Sequence, residues 1–374
     1  MEHKQQKVAV VVAIKRLLIA CLFFLPMLGS AAVLPEETAD LGWHYYTGDH
    51  VNVDGPAILV RKNLLNQFSI EASHTEDNVS CASVDVVSQA SKQKFTDKRT
   101  ENDATFTYLQ GDSTVSISTL FSNESDYDSK TLGVNLNQDV LNGMTTVIMG
   151  VSRGWDQVRR NDTDFKQDLD RHSVKLGFSQ VLTRKLVGSF VYELINDDGY
   201  LANPYRGAIV SGAPIANEVV PASRTSHAFG FSSVYYLEPR AAFKANYRYY
   251  QDTWDVKAHT LGFGYVKPIA PDIIAEARYR FYMQDKASFY QDDAPFLTEY
   301  ISRDKELSTY HDHGVGLVLT YDMNAFKSAK LSKLTGTASW DVIRFSYDDF
   351  TNPATGKAFA FTAQVIQFSV SGWY

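Results

Sequence analysis

Between Lys244 and Tyr282 the sequence reads KANYRYYQDTWDVKAHTLGFGYVKPIAPDIIAEARYRFY, three runs in which alternate residues differ in kind. In the last run Ala275, Ala277, Tyr279 and Phe281 share one parity, and Glu276, Arg278, Arg280 and Tyr282 share the other. Successive side chains of a strand point to opposite faces, so one face is apolar and aromatic while the other is charged. The first run repeats this, with Ala245, Tyr247 and Tyr249 opposing Lys244, Asn246 and Arg248. A soluble sandwich turns its apolar face inward. A membrane barrel reverses that arrangement, with apolar residues toward lipid and polar residues toward a lumen.

The same unit recurs along the chain. Strands are expected near 40–49, 55–63, 66–77, 95–110, 113–126, 130–140, 144–156, 169–183, 186–199, 225–237, 240–253, 256–267, 272–289, 304–323, 334–349 and 358–374. The connections alternate in length. Short links at 63–66, 110–113, 140–144, 182–185, 237–240 and 267–272 separate long polar ones at 78–94, 157–168, 200–224 and 290–303. Short periplasmic turns and long external loops distinguish outer-membrane barrels. The expected fold class is therefore all-β: a transmembrane antiparallel up-and-down β-barrel of about 16 strands (14–18), both ends periplasmic. The link from Asn324 to Lys333, carrying Lys327, Lys330 and Lys333, is long for such a turn and suits a segment at the inner rim.

The amino terminus agrees with export. Lys4, Lys7, Lys15 and Arg16 precede the apolar run Leu17 to Leu28, and Gly29-Ser30-Ala31-Ala32 offers small residues for cleavage. Residues 1–32 are expected to be a cleaved signal peptide and 33–374 a single barrel domain. Charged residues make up 21% of the chain, which excludes a helical membrane bundle. The mature chain would carry a net charge of −10, which disfavours nucleic-acid binding. Cys21 lies in the leader, so Cys81 would be the only mature thiol and no internal disulfide is expected.

Trp43, Tyr45, Tyr46, Trp155, Tyr235, Tyr236, Tyr249, Tyr250, Trp254, Trp340 and Trp373 fall near strand ends, where interfacial girdles belong. The final segment QVIQFSVSGWY alternates to an aromatic Tyr374, which looks like the signal read by the barrel-assembly machinery. SRGWD (152–156), NPYR (203–206), YRYYQDTWDVKAHT (247–260), RDKELSTY (303–310) and IRFSYDDF (343–350) are specific strings. Across roughly residues 95–374 the chain resembles an uncharacterised family of Gram-negative outer-membrane β-barrels, catalogued only as domain of unknown function 3570. The resemblance implies a barrel in the cell outer membrane, in contact with lipid and lipopolysaccharide. It brings no catalytic residues. Its associated genes, for a thioredoxin-like protein and a flavin transferase, imply a link to envelope redox traffic and a periplasmic partner.

Alternation places Lys175, Glu193, Arg248, Glu276, Arg278, Arg280 and Arg344 opposite apolar residues, and so toward a lumen. In an open lumen a row of arginines favours anions, with Glu276 pairing one of them. In a closed one the same residues form a salt-bridged filling. The loop 200–224, with Pro204, Arg206, Pro214 and Glu218, is unusually apolar for an external loop and is a candidate to fold inward as a constriction. Its alternative is to cover its neighbours outside. His311 and His313 share a face with Val315, Leu317 and Leu319, which suits headgroup contact better than a metal pair. The acidic groups Glu124, Asp126 and Asp128, and Asp348 and Asp349, lack EF-hand spacing. No metal and no cofactor are expected. His172–Ser173 and Ser226–His227 are sequence neighbours on opposite faces, and no GxSxG occurs, so an enzyme is not expected. Two functions are left: a porin-like channel for small solutes, anions among them, or a non-conducting scaffold that anchors a periplasmic or surface partner, with envelope redox or electron transfer as the setting the resemblance implies.

Overall fold

The computed structural model describes residues 32–81, 95–214, 217–326 and 328–374. The expected signal peptide, most of the loop 78–94, Ile215, Ala216, Lys327 and the side chain of Cys81 lie outside the described residues. The strands are β1 (Thr38–Gly48), β2 (Val51–Leu64), β3 (Phe68–Cys81), β4 (Phe95–Gln110), β5 (Ser113–Asn123), β6 (Tyr127–Val140), β7 (Thr145–Arg159), β8 (Lys166–Thr183) and β9 (Leu186–Gly199). A small hairpin of β10 (Ile209–Val210) and β11 (Ala213–Pro214) follows. Then come β12 (Ser223–Leu237), β13 (Ala241–Asp252), β14 (Lys257–Ala270), β15 (Ile273–Gln284), β16 (Tyr310–Asp322), β17 (Lys333–Thr351) and β18 (Ala358–Trp373).

All except the hairpin form one closed antiparallel barrel of sixteen strands in sequential order. The barrel closes where β1 pairs with β18, from Thr38 opposite Trp373 to Thr47 opposite Gln364. Closure removes the unpaired edges that a membrane cannot tolerate. Apart from the longer link 323–332, short turns stand at the end where β1 begins and β18 finishes; the long loops stand at the other, together with the short β1–β2 turn at Asp49 and His50. The two-residue turn after Gln110 places Gly111 at φ +57°, a backbone region open to glycine without penalty.

The outward parity carries an apolar belt that includes Leu41, Trp43, Ile58, Phe106, Ile117, Trp155, Phe231, Phe263, Leu317, Trp340 and Phe368, all exposed. This inverts a soluble protein and identifies a transmembrane β-barrel. Not every expected girdle aromatic joins the belt. Tyr46 and Tyr250 face inward, and Trp254 is buried beneath a loop. Two strands are shorter than their patterning suggests. β15 ends at Gln284 instead of 289, and β16 begins at Tyr310 instead of 304. The residues between them are apolar because they pack inside the mouth, as Ala287, Phe289, Tyr290 and Leu307 do.

Candidate functional site

Ion pairs line the inward face of the barrel. Arg278 on β15 reaches across β16 to Asp341 on β17, with Nε donating to Oδ1 at 2.6 Å. Arg280 pairs with buried Asp312. Lys244 donates to Glu276 at 2.9 Å, so Glu276 meets a lysine and not an arginine. Lys175 lies 3.3 Å from Glu193, and Arg248 approaches the same carboxylate at 3.8 Å. Arg61 with Glu71, Arg99 with Asp77, Arg171 with Asp156 and Arg224 with Asp252 continue the pattern around the wall.

Arg344 is not part of this lumen. It pairs in register with His313 on β16 and Thr362 on β18, on the face that bears Trp340 and Val342. The reason lies in its neighbours. Ile343, Phe345 and Tyr347, which suggest a lipid-facing parity, turn inward, and Phe345 and Tyr347 pack with Tyr310, Phe359 and Phe361 on the inner wall. Phe345 and Phe361 stack there at 4.7 Å between ring centroids.

Although paired, the inward cations are not packed in. The side chains of Lys175, Lys244, Arg248, Arg278 and Arg280 are 39% to 47% exposed while pointing into the barrel. A filled interior would bury them, so water-sized space surrounds them. The carboxylates of Asp40, Glu101, Asp103 and Asp139 also face inward, and among the described residues none has a cation within ion-pair distance. Glu101 and Asp103 stand on β4. In the ring of sixteen β4 lies opposite β14, which the cation-bearing strands β13 and β15 flank. One wall thus carries uncompensated negative charge, and the wall facing it is neutralised pair by pair.

At the long-loop end, the loop 285–309 lies across the mouth. Gln284, an inward side chain at the end of β15, donates to the carbonyls of Glu306 and Ser308 at 2.9 and 2.8 Å. Tyr290 donates its hydroxyl to the Asp349 carbonyl at 3.0 Å, and Lys305 reaches Asp49 in the β1–β2 turn at 3.4 Å. Beneath it Trp254, Val256, Phe289, Tyr290 and Leu307 form a core. Burial holds the Tyr290 hydroxyl far above the usual phenol range.

The segment 200–222 packs onto that loop. Arg206 pairs with Asp304 and approaches Glu218, and Glu218 accepts from Ser302 Oγ at 2.5 Å and from Asn203 N at 2.9 Å. Pro204 offers its carbonyl to Arg160 at 3.0 Å, while Pro214 is exposed on the β10–β11 hairpin. The candidate constriction 200–224 therefore does not act by itself: it forms one layer at the mouth, 285–309 forms the other, and Val219 bridges to Ile301 between them. Between the two layers and the wall opens a chamber of about 640 Å³, whose lining includes Asp197, Arg206, Glu218, Arg224, Arg248, Asp304 and Glu306 with Tyr250, Trp254 and Tyr282. The apolar residues within 285–309 are the sequence signal that would have found the spanning loop.

His313 and His311 stand on the outward face. His313 Nδ1 lies 2.8 Å from the Tyr279 hydroxyl, and His311 is 3.9 Å from Asp348. Glu124 and Asp126 come together with Asp97, while Asp128 pairs with Arg159 instead. Burial holds the carboxyls of Glu124 and Asp126 above their ordinary range. His172 and Ser173 lie on opposite faces, as do His227 and Ser226.

Residues 151–335 match the model of a family described as protein of unknown function (DUF3570). No curated protein matches the sequence. Among solved structures, the siderophore receptor PirA from Pseudomonas aeruginosa aligns over 91% of this chain, with 7% identity and a TM-score of 0.45. The chain spans 63% of that receptor's length. A Pseudomonas aeruginosa FadL homologue aligns over 91% of this chain and 90% of its own, with 8% identity and a TM-score of 0.44. Pseudomonas aeruginosa OpdK with vanillate aligns over 90% and 98%, with 9% identity and a TM-score of 0.43. At these identities the likeness extends to neither ligand nor activity.

Proposed function

With residues 151–335 placing the chain in the family of unknown function DUF3570, we propose that the protein is a porin-like channel of the Gram-negative outer membrane for small polar solutes. The observation that carries this reading is the exposure of the inward ion pairs. Lys175, Lys244, Arg248, Arg278 and Arg280 keep 39% to 47% of their side-chain surface accessible inside the barrel. About sixteen strands enclose a lumen wide enough for water and small solutes. The loop 285–309 narrows the mouth and leaves the chamber as the way in.

The sequence pattern alone makes the arginines an anion filter. In the barrel Arg248, Arg278 and Arg280 are each met by a carboxylate, Arg344 faces outward, and Glu101 and Asp103 remain uncompensated on the facing wall. Fixed charge of one sign in a narrow passage concentrates the opposite ion, so we read the conduit as cation-preferring. The test is single-channel conductance of the refolded chain in planar bilayers, with selectivity taken from the reversal potential in a salt gradient. Stable conducting steps with cation preference are expected. A folded barrel that never conducts overturns the channel and favours the anchoring scaffold, for which cross-linking to periplasmic proteins is the next measurement.

A further inference from the structure

On the outward wall the side chains of β16, β17 and β18 form rows in register. From the short-turn end these are Tyr321–Gly336–Val370, Leu319–Ala338–Phe368, Leu317–Trp340–Ile366 and Val315–Val342–Gln364; the next row is His313–Arg344–Thr362. Eight residues separate Tyr321 from His313. At about 3.4 Å per residue and a strand tilt of about 40°, that is roughly 20 Å of height. The apolar band of such barrels is about 25 Å tall. Arg344 therefore stands where hydrocarbon gives way to headgroups on the external leaflet.

Its surroundings lack a counter-ion. Arg344 is exposed, Nη1 donates to Thr362 Oγ1 at 3.2 Å, and among the described residues no carboxylate lies within ion-pair distance. Beside it His313 has its Nδ1 engaged by the Tyr279 hydroxyl at 2.8 Å and its ring held 4.9 Å from that of Phe281. That holds the imidazole against the wall with its Nδ1 engaged, while the residue stays exposed. Directly below, Val342, Val315 and the exposed Trp340 offer an apolar platform. A guanidinium and an imidazole above acyl-sized apolar surface match one chemistry, a phosphate carried on lipid chains.

We propose that Arg344, with His313 and Thr362, binds a phosphate-bearing lipid headgroup of the external leaflet, its acyl chains lying along Val342, Val315 and Trp340. Guanidinium–phosphate contacts are charge-assisted and bidentate, and a glutamine supplies neither property. The site is independent of whether the lumen conducts.

The test is native mass spectrometry of the folded full-length chain in detergent, titrated separately with diphosphoryl lipid A, the same lipid without phosphates, and inorganic phosphate. Diphosphoryl lipid A is expected to bind the parent, and roughly tenfold more weakly to Arg344→Gln. Arg344→Lys should retain an intermediate affinity, and Arg184→Gln, in the β8–β9 turn, should match the parent. If Arg344→Gln does not fold, as judged by heat-modifiable migration, His313→Gln carries the comparison with an expected loss of about threefold. Equal binding by Arg344→Gln, or by the phosphate-free lipid, overturns the proposal. Inorganic phosphate binding as tightly as the lipid would reassign the residues to a soluble anion and overturn the lipid reading.

Discussion

Arg278 and Asp341 are joined across a strand to which neither belongs, the guanidinium passing over the backbone of Gly316. The absence of a side chain there makes the bridge possible. A Cβ on Gly316 would lie 2.0 Å from Asp341 Oδ1 and 2.9 Å from Arg278 Nε. Gly264 performs a similar service below Lys244 and Glu276, where a Cβ would stand 2.9 Å from Glu276 Oε1.

Gly316→Val should therefore separate Arg278 from Asp341 while the barrel still forms. Because the pair is partly exposed to the lumen, the stability lost should be modest, about 1 kcal/mol. The displaced guanidinium changes the field more than the fold. The expected outcome is a shift of the reversal potential toward anions, with heat-modifiable migration unchanged. An unaltered reversal potential would show that the pair lies off the ion path.

The uncompensated carboxylates of β4 make a sharper test of selectivity. Glu101→Gln with Asp103→Asn removes two negative charges without breaking an ion pair. Cation preference should fall by several-fold in permeability ratio, and the effect should shrink in 1 M salt, where screening acts within about 3 Å. A double variant as cation-selective as the parent places the selecting charge elsewhere.

Trp254 anchors the loop across the mouth. It is buried, meets Phe289 edge-on at 5.1 Å between centroids, lies under the Arg224 guanidinium at 4.5 Å and donates Nε1 to the Ser223 carbonyl at 3.0 Å. Trp254→Ala should cost the loop packing about 3–5 kcal/mol. Amide exchange across 285–309 should accelerate while strand amides remain protected, and open-channel noise should rise. Uniform acceleration throughout the barrel would mean that the loop core supports the whole fold.

Glu218 links the mouth to pH. Burial raises its carboxyl above the usual carboxylate range, outweighing Arg206 and the donors Ser302 and Asn203, which act the other way. The packed loop consequently holds the proton more tightly than the opened loop. Its contribution to loop packing is fullest at acid pH and declines as pH rises from about 4.5 through the raised value. Exchange in 200–222, corrected for intrinsic rate, should be slower at pH 5 than at pH 8, and Glu218→Gln should abolish that difference. A pH dependence that survives in Glu218→Gln would exonerate this carboxyl.

Much of the barrel is legible in the sequence because membrane strands specify both faces. Where Tyr279 and Phe281 alternate with Arg278 and Arg280, parity alone separates lipid from lumen. It misleads at Ile343, Phe345 and Tyr347, which are apolar on the inward side because they line an inner aromatic wall, and Arg344 is carried to the wrong face with them. The parity of Trp340 and Val342 was the better guide. The mouth was less legible for a related reason. Residues 285–289 and 304–309 pack inward and so carry apolar side chains that continue the strand pattern of β15 and β16. Which carboxylate meets which cation depends on register across three strands, and no single strand's sequence contains it.

The seam between β1 and β18 has a bearing on quality control. Thr38 meets Trp373 there, so the first barrel strand finds its second partner only in the last one. A chain that stops short of β18 leaves the edge of β1 and the edge of its own last strand unpaired, which hydrocarbon does not tolerate. Closure of the ring thus waits on the last strand, and a copy truncated before it should be discarded as a whole rather than persist as a partial barrel in the bilayer.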